Sequence, residues 1–204
     1  DRPRQLAVML GALCHDLGKP ATTRFEEGRF RSRGHEEAGL PPTSALLDRW
    51  NVFTRQGYDV RAQVLALVAQ HLKPGQLYDD RERVSDGAIR RLARKCEPDL
   101  LYRVSRADCL GRRPGRFEPV AMEWFLERVK ALDVAVRPPE PLLRGRDLLE
   151  LGLPPGPLMG EVLRAVYEKQ LDGTVTTLDE AREEAARRIR QAAPPPGGAS
   201  SRSG

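Results

Sequence analysis

Three observations predict an all-α protein. Hydrophobic residues make up 40% of the 204 and aromatics only 5%, so the apolar content is mainly Leu, Val and Ala. Leu and Ala favour helix, and an aliphatic core suits packed helices better than a β-sandwich. Apolar positions recur at spacings of three and four, and Ser, Asp, Pro and Gly stand where such runs begin and end.

Taken in order, residues 5–17 (QLAVMLGALCHDL) are apolar on nearly every side, which predicts a buried helix. Gly18, as a left-handed cap, and Pro20, as a breaker, would end it. Residues 21–33 alternate loosely around Glu27-Gly28 and predict a short hairpin or ordered loop. A helix follows from about His35, which Pro41-Pro42 must bend or interrupt before it resumes to Trp50. Asp59 can cap a helix over 60–72, whose Val60, Val64, Leu67, Val68 and Leu72 fall at helical spacing. Ser85 can cap another with Ala88, Ile89, Leu92 and Cys96 inward. Pro98 fits the first turn of a helix through Leu101, Val104 and Asp108 to about Leu110. A further helix over 119–132 would pack Met122, Phe125, Leu126 and Val129.

Arg137-Pro-Pro-Glu-Pro141 reads as a stiff linker. It separates a helical domain over 1–136 from a smaller helical C-terminal unit over 137–192. The smaller unit should hold a short helix near 146–151, a loop LGLPPGP and a helix over 158–171. Thr177-x-x-Glu180 is a capping-box pattern for its last helix. The Pro/Gly/Ser-rich tail, 193–204, should be disordered.

Composition limits the function classes. No apolar run approaches the ~18–20 residues that span a bilayer, so no membrane role is expected. Cys14, Cys96 and Cys109 cannot all pair and form no C-x-x-C motif, which suits reduced thiols in a soluble cytoplasmic protein. The net charge of +5 is carried mostly by arginine, whose planar fork matches phosphate oxygens. Genomic base composition is an equal source of that arginine. The chain lacks an initiator Met, and residue 5 already opens an apolar run, so it reads as a piece of something longer.

Its three histidines stand at 15, 35 and 71. His15 and Asp16 end the first apolar helix and point about 100° apart, so they would flank an ion. His71 lies three and four residues after Val68 and Leu67, on an apolar face. Asp108 follows Leu101 by seven and Val104 by four, which puts a carboxylate among core residues. A buried carboxylate needs a cation or a hydrogen-bond network. Mixed His/Asp donors suit one or two ions of Mn, Fe, Ni or Mg, and such an ion lowers the pKa of bound water and polarises a phosphoryl oxygen. Hydrolysis of a phosphate ester is the chemistry expected. Taken singly, each residue has a plainer use: a core histidine bonded to a carbonyl, an Asp108 pair with Arg103, Arg112 or Arg113, or Asp16 as a helix cap.

The segment ALCHDLGKP resembles the signature of the HD superfamily of metal-dependent phosphohydrolases. GRFRSRGHEEAG, and LLRGRDLLELGLPPGPLMGEVLRAVYEKQLDG after it, are similar to the HD region and C-terminal motif of bacterial tRNA nucleotidyltransferases and poly(A)-polymerase relatives. The resemblance runs from about residue 7 to 188. It implies an HD-type helical bundle followed by the small C-terminal unit. It implies His15, Asp16 and Asp108 as primary metal ligands, with His15 and Asp16 catalytic, and His35 and His71 at a second metal position or on the phosphate. Lys19 would act in catalysis by holding a phosphate oxygen, and Arg112 and, more weakly, Arg113 would contact substrate. Glu36 would contact substrate, tune a ligand or activate water. The expected activity is a phosphohydrolase on nucleotide or RNA 3′-end esters: a 2′,3′-cyclic phosphodiesterase, 2′-nucleotidase or phosphatase, with tRNA a possible substrate. The other reading is a non-catalytic RNA-binding body of a tRNA nucleotidyltransferase-like enzyme, gripping phosphates through a basic surface.

Overall fold

The structure, a computed structural model, describes residues 1–111 and 119–192. It is all-helical apart from two small hairpins, and it divides into two compact units, Asp1–Pro138 and Pro139–Gly204.

The first unit runs α1 (Arg2–Cys14), α2 (Lys19–Thr22), β1 (Arg24–Glu26), β2 (Arg29–Arg31), α3 (His35–Ala38) and α4 (Leu40–Arg49). A second hairpin, β3 (Thr54–Arg55) and β4 (Tyr58–Asp59), leads into α5 (Val60–Gln70), α6 (Lys73–Asp79), α7 (Asp86–Ala93), α8 (Pro98–Gly111) and α9 (Val120–Ala131). Its core gathers Ala7, Leu10 and Cys14 of α1, Val64, Leu67 and Val68 of α5, Leu101 and Val104 of α8, and Phe125 and Val129 of α9. The helices α1, α5 and α8 meet at Gly11. A Cβ there would stand 3.2 Å from both Leu67 Cδ1 and Val104 Cγ2, so the missing side chain lets three backbones converge. One turn beyond Gly11, Leu67 and Val104 come His15, His71 and Asp108. The closest packing thus sets the register of the three polar residues above it.

Several local expectations need revising. The helix α1 is not buried all round: Met9 and Leu13 are 69% and 58% exposed, because one stripe packs on α5 and α8 and the rest faces solvent. Gly18 is no left-handed cap, with φ at −82°, and α1 already ends at Cys14. Glycine stands there because a Cβ would lie 2.1 Å from the His35 carbonyl oxygen and 2.6 Å from Gly39 N. Pro20 opens α2 rather than breaking a helix, since first-turn N–H groups have no intrahelical acceptor to lose, whereas the interruption expected at Pro41-Pro42 is present between α3 and α4. The β3–β4 hairpin and α6 went unforeseen: the strands are two residues long, and α6 follows α5 across a break of two residues. Ala88 is only half-buried. Asp59 and Ser85 do cap their helices, accepting from Ala62 N at 2.9 Å and Ala88 N at 3.3 Å.

The second unit holds α10 (Gly145–Glu150), α11 (Pro157–Leu171) and α12 (Leu178–Ala192) around Leu148, Val162, Val166, Ala181 and Ala185. The Thr177/Glu180 capping box forms, with Glu180 N donating to Thr177 Oγ1 at 3.3 Å and Thr177 N to Glu180 Oε2 at 3.2 Å. Buried Glu184 sits among Lys169 at 3.0 Å, Arg188 at 2.7 Å, and Arg187. Burial raises its pKa, but hydrogen bonds from Arg187, Lys169 and Arg188 outweigh that and hold it down to about 2. The tail expected over 193–204 lies outside the described residues. All three cysteines are free and buried. Among the described residues no helix is long and apolar enough to cross a membrane.

Candidate metal centre

The histidines come together at the ends of helices. His15 follows α1, His71 follows α5, and His35 opens α3. Each ring is anchored the same way, by Nδ1 to the carbonyl three residues earlier: Ala12 at 2.8 Å, Ser32 at 2.7 Å and Val68 at 2.7 Å. A carbonyl only accepts, so each Nδ1 carries a proton and each neutral ring keeps its lone pair on Nε2. The three Nε2 atoms then face a common space. His35 Nε2 and His71 Nε2 are 3.1 Å apart, too close for two lone pairs unless a proton or metal cation is shared between them.

Carboxylates complete the group. Asp16 Oδ1 lies 3.5 Å from His35 Nε2, and Asp16 Oδ2 lies 3.3 Å from His15 Nε2. Donor atoms of Asp16, His35 and His71 all lie within 4.8 Å of one another. Asp108 Oδ1 stands 3.5 Å from His15 Nε2, so Asp108 reaches the cluster through His15. Donors sharing one ion at about 2.1 Å stand roughly 3–4 Å apart, which matches these separations. His15 Nε2 and Asp16 Oδ1 are buried and have no hydrogen-bond partner, a costly state that a cation would relieve. The donor set therefore fits a divalent ion. Its imidazole-carboxylate make-up, without thiolate, differs from a Cys-rich structural zinc site.

The electrostatics separate the rings. The Asp108 carboxylate, 3.5 Å from Nε2, raises His15 above the ordinary imidazole pKa, against the opposing effect of burial. Burial lowers His71, and the neighbouring His15 and His35 push the same way. His71 is thus held neutral, the form that ligates.

Around the cluster, Ala12, His15, Asp16, Lys19, Ala107, Asp108 and Gly111 line a cleft of about 290 Å³. That is at the lower end of the ~300–1,000 Å³ common for ligand sites. Lys19 Nζ reaches its rim, 2.6 Å from Asp16 Oδ2. Glu36 Oε2 lies 3.7 Å from His35 Nδ1, is buried without a hydrogen-bond partner, and Glu36 also lines a second cleft of about 400 Å³ with Arg31, Ser32 and Gln76. Arg103 pairs with Asp99 at 3.0 Å rather than with Asp108. Arg112 and Arg113 lie outside the described residues. A cleft of about 460 Å³ near Arg4, Met9 and Arg103 opens at the other end of α1, away from the histidines.

Two supports escaped the sequence reading. Ser105 Oγ, buried on α8, donates to the His71 carbonyl at 2.7 Å. Gly18 packs its backbone against that of His35. A serine three residues before Asp108 and a glycine two after Asp16 signal nothing by spacing alone.

The model of the HD domain family matches residues 3–113, over half of the chain. The chain belongs to the HD-domain family. It is 38% identical over 180 residues to the CC-adding tRNA nucleotidyltransferase of Thermus thermophilus, covering 87% of this chain and 39% of that protein. It is 36% identical over 183 residues to the A-adding tRNA nucleotidyltransferase of Deinococcus radiodurans, covering 87% and 40%. A Multifunctional CCA protein of Laribacter hongkongensis is 34% identical over 113 residues, 55% of this chain and 22% of that protein. The chain thus spans about two-fifths of the length of these two tRNA nucleotidyltransferases. No solved structure matches it significantly.

Proposed function

We propose that this HD domain is a divalent-metal-dependent phosphohydrolase acting on phosphate esters at nucleotide or RNA ends, of the 2′,3′-cyclic phosphodiesterase, 2′-nucleotidase or phosphatase type. The observation that carries the reading is the common anchoring of His15, His35 and His71, which aims three Nε2 lone pairs at one space beside Asp16 and Asp108. Asp16, His35 and His71 hold the ion, with His15 and Asp108 as the adjoining ligand pair. A bound divalent ion supplies Lewis acidity toward a phosphoryl oxygen and acidifies water. Lys19, at the cleft rim, exchanges its Asp16 contact for a phosphate oxygen when substrate enters. Asp108, 3.5 Å from His15 Nε2, would share that ring's side of the site as a further oxygen donor.

The names of the relatives favour RNA-bearing substrates, tRNA among them, and also favour the rival reading of an RNA-supporting body without chemistry. Metal content and hydrolysis of 2′,3′-cyclic AMP and 2′-AMP, with Mn, Ni, Fe or Mg supplied, decide between them. The expected result is stoichiometric metal and turnover, both lost in Asp16→Ala and His71→Ala. A wild-type chain that binds RNA but takes up no metal and turns over neither ester would leave the supporting-body reading in place.

A further inference from the structure

The metal cleft, at about 290 Å³, is at the lower end for a ligand site, so the rest of a long substrate must be held elsewhere. Immediately beside it stands the β1–β2 hairpin. Its base is tied into the site: Ser32 Oγ donates to Thr23 Oγ1 at 2.8 Å, Thr23 Oγ1 donates to the Lys19 carbonyl at 2.7 Å, and the Ser32 carbonyl anchors His35. Two residue pairs further out, Phe25 and Phe30 face each other across the ladder, with ring centroids 5.1 Å apart. That is about 7 Å along the ribbon from its base. Both rings are unusually bare, 65% and 75% exposed. The edge-to-face pair steadies the ribbon, but neither ring is buried in the core, and their outer faces stay open to a partner.

The charges around the rings say what fits. Residues 24–33 contain four arginines and two glutamates. Glu27 engages Arg31, and Glu26 lies 3.9 Å from Arg33, while Arg24 and Arg29 are exposed along the strands. Exposed aromatic rings flanked by arginine form the platform that takes unpaired bases by stacking and their phosphates by charge. We propose that the Phe25/Phe30 hairpin is a docking surface for single-stranded RNA, holding unpaired nucleotides next to the ester presented at the metal cleft. The inference rests on the phosphohydrolase reading for what happens at that cleft, but the platform itself requires no metal.

The test uses the whole chain and a fluorescent single-stranded oligoribonucleotide of eight residues, a duplex of the same sequence, and 2′,3′-cyclic AMP. Phe25→Ala/Phe30→Ala should weaken single-strand binding at least tenfold and leave cyclic-AMP turnover, metal content and melting temperature unchanged. Arg24→Gln/Arg29→Gln should flatten the dependence of binding on salt. The wild type should prefer the single strand over the duplex. Unchanged oligonucleotide affinity in the phenylalanine variant overturns the proposal, as does equal loss in Phe25→Ala/Phe30→Ala of cyclic-AMP turnover, which would place the rings in the site's framework. Oligonucleotide binding that depends on the rings in a chain with no turnover at all would sustain the platform and sink the phosphohydrolase reading instead.

Discussion

At the scale of single residues, the site depends on groups whose role is invisible without coordinates. Gly18 is the sharpest case. Its α-hydrogen faces the His35 carbonyl at a distance where any Cβ would overlap the oxygen, and backbone cannot swing aside as a side chain can. Gly18→Ala should cost at least about 2 kcal/mol, read as a fall in melting temperature, and should separate Asp16 from His35 so that metal content drops. A stable, metal-replete Gly18→Ala protein would contradict this. Ser105→Ala makes a milder prediction. Losing its bond to the His71 carbonyl should cost about 1 kcal/mol and weaken metal affinity roughly 10- to 100-fold without removing a ligand. Isothermal titration with Mn measures it, and an unaltered affinity would show that His71 needs no such support. The ligand candidates themselves were readable in the sequence, since the chain has only three histidines and all of them enter the cluster. Their anchoring was not, because the acceptors are main-chain carbonyls and every residue type carries one.

At the scale of elements, caps and apolar periodicity located most helices to within a few residues. Asp59, Ser85 and Thr177 do what their types and positions suggest. The errors share one cause: local signals do not know what lies across the gap. The sequence of α1 is apolar all round, yet only tertiary contact decided which stripe was covered. Pro20, read as a breaker, is a first-turn residue of α2, while Pro41-Pro42 do mark an interruption, between α3 and α4. The Gly11 crossing yields a test at this scale. Gly11→Ala would place a Cβ 3.2 Å from two side-chain carbons, so α1 must back away from α5 and α8 by a few tenths of an ångström. Because His15, His71 and Asp108 are each one turn further along, the displacement carries into the site. Metal affinity should fall at least several-fold while the protein remains folded, and equal affinities in Gly11→Ala and wild type would break the link between packing and site.

At the scale of the whole molecule, the two units carry different pH liabilities. Glu184 in the second unit is ionised far below its ordinary range because three cations surround it. A carboxyl whose folded pKa lies below its unfolded one stabilises fully above the unfolded value, near 4.5, and loses that contribution as pH falls toward 2. The partners are about a third to a half exposed, which screens the gain to on the order of 2 kcal/mol. Hydrogen exchange of α11 and α12 amides should accelerate between pH 4.5 and 3 relative to its intrinsic rate, and Glu184→Gln should remove that extra dependence. Persistent protection through this window would mean the triad of cations contributes nothing.

The meeting of three helices one turn below His15, His71 and Asp108 has an electrostatic consequence. His15 and His71 terminate α1 and α5, and Asp108 occupies the last turn of α8, so three carbonyl ends point toward one cleft. Each helix end presents roughly half a negative charge, added to the charges of Asp16 and Asp108. Before loading, the cleft is an attractive well for a cation and a barrier to an anion, with Lys19 the sole opposing charge among its described lining residues. Ordered loading, cation first and phosphate second, is the outcome expected of such a cleft. Inorganic phosphate, followed by 31P line broadening or calorimetry, should bind in the millimolar range to the Mn-loaded protein and not measurably to the chelator-treated one. Equal phosphate affinity in both would mean that the helix ends do not govern entry.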